Sequence, residues 1–186
     1  MTMNMIRAIV AGAALLGAAS SAHAFELTSP DVKNGGTVGD AFVFNSFGCT
    51  GGNISPQLDW KDAPKDTKSF ALFVHDADAP TGGAGFWHWE VINIPATTMT
   101  IAKGDGVQGQ PTTKNGFRQI NTDFGAPGWG GPCPPVGDKP HHYMFTVYAL
   151  KVDKLDLPPT ATASFAGFMA NMNMLGKASL TATYGH

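Results

Sequence analysis

The stretch SFALFVHDADAPTGGAGFWHWEVINI, residues 69–94, decides the fold. It contains two runs rich in β-branched and aromatic residues, Ser69–His75 and Phe86–Ile94. Between them lies a connection of Asp, Pro, Ala, Thr and Gly, Asp76–Gly85. Such side chains suit a pleated surface, and Asp, Pro and Gly break it, so the pair reads as two strands joined by a loop. Working outward, the same signals predict strands over His142–Leu150 (HYMFTVYAL), Ala178–Tyr184 (ASLTATY) and Ala41–Phe47.

One segment has helical spacing. Phe165, Phe168, Met169 and Met172 stand at i, i+3, i+4 and i+7, with Gly176 placed to stop a helix. That stripe is expected to pack into the core. No repeat, heptad or charge run interrupts the pattern. Many short strands with long loops predict an all-β fold: a mainly antiparallel two-sheet β-sandwich with one or two short peripheral helices.

The chain starts with Arg7, an apolar run from Ala8 to Ala19, and Ala22-His23-Ala24. This is the layout of a cleavable signal peptide over residues 1–24, too short for the ~20 residues that span a bilayer. Residues 25–186 then form one domain, periplasmic or secreted, with no integral membrane segment. Of the 12 basic and 14 acidic residues, only Arg7 falls in the leader, so the mature part carries a slight acidic excess. Nucleic acid, which needs clustered Lys and Arg, is excluded as a partner. In an oxidising compartment the two cysteines, Cys49 and Cys133, read first as a disulfide, with two separate buried thiols as the alternative.

Polar residues gather where the strands end. Asp76 and Asp78 leave the first strand, His88 lies in the second, and His141-His142-Tyr143 opens a third. Side-chain alternation puts His141 and Tyr143 on one face and His142 on the other. The same rule pairs His88 with Phe86 and Glu90, opposite Trp87 and Trp89. Two histidines beside a carboxylate and aromatic walls suit a small anion, with Asp76 fixing the orientation of an imidazole. His75 and His142 are expected to be ordinary satisfied histidines, and Asp76-x-Asp78 also fits an Asx-type turn. No His-x-x-x-His or His-Glu-x-x-His spacing is present, and Ser55 lacks the Gly-x-Ser-x-Gly elbow. No catalytic residue, metal or cofactor is therefore expected.

Asp76-Ala77-Asp78-Ala79-Pro80, Gly85-Phe86-Trp87-His88-Trp89 and Gly131-Pro132-Cys133-Pro134-Pro135 leading into His141-His142-Tyr143 together resemble the phosphatidylethanolamine-binding protein family. Asn53-Ile54-Ser55-Pro56-Gln57-Leu58-Asp59-Trp60 is similar to its bacterial Raf-kinase-inhibitor-like branch. The resemblance runs from Phe25 to Gly185. It implies a two-sheet β fold with a small cavity for phosphate, acetate or a phosphoethanolamine-like headgroup. By motif it implies ligand-binding roles for Asp76, Pro80, His88, His141 and Tyr143, with Gly131 and Pro132 lining the rim. Against the family pattern, Ala77 and Gln57 replace prolines, His142 replaces an Arg, and Glu90 stands in a half-buried strand. The function implied is an exported, regulatory anion-binding module, not an enzyme. The alternative is an inhibitor of a protease or signalling partner acting through the 123–140 loop with Trp129 at its tip. A homodimer is a further expectation.

Overall fold

The computed structural model describes residues 24–186. The expected signal peptide lies outside the described residues apart from Ala24. Eight strands form two antiparallel sheets. The larger contains β3 (Ser69–Asp76), β4 (Phe86–Pro95), β6 (Arg118–Gln119), β7 (His141–Leu150) and β8 (Met174–Tyr184), in the order β6-β4-β3-β7-β8. The smaller is β1 (Glu26–Thr28), β2 (Leu58–Lys61) and β5 (Thr100–Ile101), in the order β1-β2-β5. A single α-helix, α1 (Ala163–Met172), and a 3-10 turn at Asp40–Phe42 complete the elements. The expected all-β two-sheet architecture is the one found.

Strand β3 is buried at nearly every position, which explains why its run from Phe70 to Val74 does not alternate. Phe70, Leu72 and Val74 face Leu58, Trp60 and Ile101 of the small sheet. Ala71 and Phe73 face the other way, under Leu155, Leu157, Ala166 and Ala170. The large sheet is thus covered on both sides, by the small sheet and by α1 with its approach segment.

The helix forms where its spacing predicts, capped by Thr162, whose side chain accepts from the Phe165 N–H. Its orientation differs from the expectation. Phe165, Phe168 and Met172 are exposed, Phe168 by 58%, and the buried face is Ala163, Ala166, Gly167 and Ala170. Small residues let the helix axis come close to the sheet, and a Cβ on Gly167 would just meet the Trp87 ring at 3.9 Å. Larger side chains could not fit that gap, so they turn outward. Nor does Gly176 stop the helix: Asn173 ends it, and Gly176 pairs with Ala149 inside β8.

The expected strand over 41–47 is absent. Phe47 and Gly48 both have positive φ, 58° and 94°, which breaks an extended run. The backbone there pairs piecemeal: Phe44 N–H donates to Pro132 O, and Gly51 N–H donates to Phe44 O. Cys49 and Cys133 are joined by a disulfide with Cα atoms 6.0 Å apart, clamping this segment to the 131–135 loop. In the chain-entropy picture a closure of this length stabilises the fold by about 4 kcal/mol.

Alternation also fails in β4, where the register against β3 shifts twice, between Phe70 and Leu72 and between Val74 and His75. His75 opposes Trp87 and the adjacent Val74 opposes Trp89, so His88 is an extra residue, a β-bulge. The bulge puts His88 on the same side as Trp89, and moves Glu90 to the opposite face, where it opposes Phe73. The expected grouping of His88 with Glu90 against Trp89 is therefore corrected.

Glu90 is fully buried there, and neither carboxylate oxygen has a hydrogen-bond partner. Burial, and then the nearby Asp123 charge, push its carboxyl well above the usual range. The folded state thus holds this proton where the unfolded chain releases it, so stability falls as pH rises from about 4.3 through the folded value. Thermal unfolding from about pH 5 to pH 8 should show a shallower loss of stability for Glu90→Gln than for wild type. Equal slopes would show that the carboxyl is not held protonated.

Candidate functional site

The register of three neighbouring strands assembles the site. Asp76 at the end of β3 lies directly opposite Phe86 of β4 on one side and Tyr143 of β7 on the other. Alternation from Phe86 adds His88, and alternation along β7 adds His141 while sending His142 to solvent. Asp76, His88, His141 and Tyr143 line one cavity of about 260 Å³. Its walls are apolar: Pro80, Phe86, Phe124, Pro134, Pro135 and Phe47, which is 74% exposed at the mouth.

Pro80 lines the cavity as expected, but Gly131 and Pro132 do not. They stand one step behind, against the 42–44 segment, where a Cβ on Gly131 would run into the backbone of Phe42 and Phe44. The cavity wall is formed by the next three residues, Cys133, Pro134 and Pro135. The sequence reading did not single out Phe47 and Phe124. Only the long-range fold brings them together, with rings 6.0 Å apart and nearly parallel. Trp129, which reads either as an ordinary core aromatic or as the tip of the 123–140 loop, is fully buried and donates its Nε1–H to Phe42 O.

Asp76 acts on the histidine rather than the cavity centre. One of its oxygens is 2.7 Å from His141 Nδ1, and the other accepts from the Asp78 N–H, the Asx-type turn. Burial lowers the proton affinity of His141, but the hydrogen bonds and charges of Asp76 and Asp138 outweigh it, so its pKa is raised. The folded value being the higher one, this pair stabilises the fold fully below about pH 6.5, and that stability is lost as pH rises through the folded value. The second ring nitrogen of His141 lies 3.4 Å from Asp138, a partly exposed loop carboxylate.

His88 behaves in the opposite way. Burial pushes its pKa down to about 4, against the pull of the Gly130 carbonyl and the Asp76 charge. Its Nδ1 is 2.6 Å from the Gly130 carbonyl oxygen. Tyr143 is buried at the base of the site, its hydroxyl has no hydrogen-bond partner, and burial followed by the Asp76 charge raises its pKa. His75 stacks on Trp87 and bonds Ala84 O, while exposed His142 pairs with Asp78 at 2.7 Å; both stay outside the cavity.

Among the described residues one further cluster of potential ligands occurs, Cys49, Cys133 and His186. With its two sulfurs joined to each other, it offers no thiolate to a metal. No helix of the described residues is long and apolar enough to cross a membrane.

Comparison with known proteins places this geometry. The sequence profile of the family described as phosphatidylethanolamine-binding protein matches residues 28–185. The chain is 45% identical over 165 residues to the protein YbcL of Escherichia coli K12, covering 89% of this chain and 90% of that protein. To YbhB of the same organism it is 42% identical over 159 residues, covering 86% and 99%. The crystal structure of E. coli YbcL, described as a new member of the mammalian PEBP family, superposes with a TM-score of 0.82 at 44% identity, covering 87% of this chain and 98% of that one. A PEBP homologue from Chlamydia trachomatis gives a TM-score of 0.73 at 28% identity, covering 88% and 98%.

The opposed settings of the two cavity histidines are open to measurement. In an NMR titration, Asp76→Asn and Asp138→Asn should each lower the pKa of His141, the former more, and neither should raise that of His88. An unchanged His141 value in Asp76→Asn would break the assigned pairing.

Proposed function

The chain belongs to the phosphatidylethanolamine-binding protein family, and from that premise we propose that it is an exported regulatory module that binds a small anion or phospho-headgroup. The observation carrying this reading is the buried Tyr143 hydroxyl, unpaired beside the His141 imidazole at the base of an apolar-walled cavity. A buried donor without an acceptor costs about 1–3 kcal/mol, and an anion at the base of the cavity would recover it. A His141 that keeps its proton adds a charge-assisted donor once Asp138 gives way. The cavity falls just below the roughly 300–1,000 Å³ of drug-sized ligand pockets, so it suits a headgroup and a short apolar attachment.

Binding without chemistry is favoured by how the polar groups are used. Asp76 has both oxygens engaged, and Thr81, a hydroxyl in the lining, already donates to Gly85 O. Neither is poised as a base or nucleophile. Residence outside the cytoplasm is supported by the Cys49–Cys133 disulfide together with the leader-like residues 1–24.

Calorimetric titration with inorganic phosphate and phosphoethanolamine near pH 6 tests the reading. Wild type should bind. Tyr143→Phe should bind about tenfold more weakly while unfolding at the same or a higher temperature, since it removes an unpaired buried hydroxyl. Heat of binding that is identical in wild type, Tyr143→Phe and His88→Ala, or absent from all three, would refute this cavity as the ligand site.

A further inference from the structure

A carbonyl oxygen only accepts hydrogen bonds, so the 2.6 Å contact to Gly130 places a proton on His88 Nδ1. In a neutral ring the other nitrogen then carries a lone pair. His88 Nε2 has no protein partner, and the ring lines the cavity with Phe86, Phe124 and Tyr143 around it. The cavity therefore offers a donor from Tyr143, joined by His141 once Asp138 gives way, on one side and an acceptor from His88 on the other.

Resting on the proposed function, the geometry points to His88 as a specificity-determining residue: we infer that the cavity selects a phosphate that still carries a proton, the singly charged monoester form ROPO3H⁻, over fully deprotonated oxyanions and phosphodiesters. The ligand P–O–H donates to His88 Nε2 while its other oxygens accept from Tyr143 and His141. An oxyanion with only lone pairs meets the lone pair of Nε2, with the Asp76 carboxylate close behind. A site built around a hydrogen bond rejects an analogue that cannot make it, because its buried polar group is left unpaired.

The charged and titratable groups around His88 come from every neighbouring element. From β3 come Asp76, which favours a cationic ring, and His75, which opposes it; Asp123, from the loop after β6, favours it. From β7 come His141 and Tyr143, and Asp138 from the preceding loop engages His141. Burial outweighs the favourable charges, in keeping with a ring that stays neutral.

The chemistry has two possible sources, a free phosphomonoester or the headgroup of an intact phospholipid, and they differ in this proton. A phospholipid phosphate is a diester with no proton to give, whereas a monoester loses its second proton at about pH 6. Methyl phosphate, sulfate and glycerophosphoethanolamine should be titrated into wild-type protein from pH 5 to pH 8 at constant ionic strength. At pH 6, two pH units above the His88 value of about 4, sulfate can bind only by forcing a proton onto the ring, so it should be about 100-fold weaker than methyl phosphate. The diester should be weaker by a similar factor. Sulfate itself keeps one charge state over this range, so its affinity should fall about tenfold per pH unit as the proton must be supplied to His88, and any effect of His141 is common to both ligands. Methyl phosphate needs proton uptake only above about pH 6, so the ratio of methyl phosphate to sulfate affinity should rise about tenfold between pH 5 and pH 7 and level off above that.

In parallel, long-range 1H–15N spectra of the free protein at pH 6 should show His88 with a protonated Nδ1 and a bare Nε2. A protonated Nε2, or sulfate or the diester binding within threefold of methyl phosphate, overturns the inference and leaves the anion site standing. Absence of binding by all three ligands at every pH overturns the proposed function and this inference together.

Discussion

Strand β3 has no solvent face, and its pairing on both edges cannot slip. Moving it by one residue against β4 or β7 would turn Leu72 and Val74 away from the small sheet and bring Ala71 and Phe73 into their place. Each large apolar side chain that lost its burial would cost roughly 1.5–3 kcal/mol. That penalty locks the register, and the register sets Phe86, Asp76 and Tyr143 side by side at the sheet's end. The site is thus a by-product of core packing carried to the strand termini, and it inherits the rigidity of the core.

Two local features close this frame into a cavity. Alternation from Phe86 carries His88 onto the cavity side, and the bulge there turns Trp89 to that side as well and Glu90 away from it. The rings of Phe47 and Phe124 then line the mouth, backed by buried Phe44 and held by the Cys49–Cys133 bond. The polar base and the apolar wall come from different kinds of constraint. Strand register places the base, and a covalent clamp between two loops places the wall.

The two cavity histidines show how burial and partners divide one residue type into two roles. His141 gains carboxylate partners on both ring nitrogens and holds its proton more firmly. His88 has only a carbonyl and aromatic surroundings, and holds a second proton less firmly. A uniformly cationic pocket would take any anion, whereas a donor beside an acceptor sorts ligands by their own protonation.

Much of this was legible in the sequence. The runs at 69–75, 86–94, 142–150 and 178–184 announced four strands of the large sheet, because β-branched and aromatic content is a local property. Asp76, His88, His141 and Tyr143 were legible as polar residues at strand ends, and Pro80 only through the resemblance to the family's motif. The short strands at 26–28, 58–61, 100–101 and 118–119 were not, since two to four residues carry no period and are stabilised only by their partners. The helix was visible from its spacing but its inward face was not: an i, i+3, i+4, i+7 stripe identifies a side, and whether large or small residues turn inward depends on how near the sheet stands. The bulge, the outward turn of Phe47 and the burial of Trp129 and Glu90 are likewise tertiary decisions, set by contacts from 12 to 87 residues away. The sequence by itself determined which polar groups stand where the strands end. Only the folded chain decided which nitrogen of His88 would carry the proton, because that depends on a carbonyl 42 positions distant.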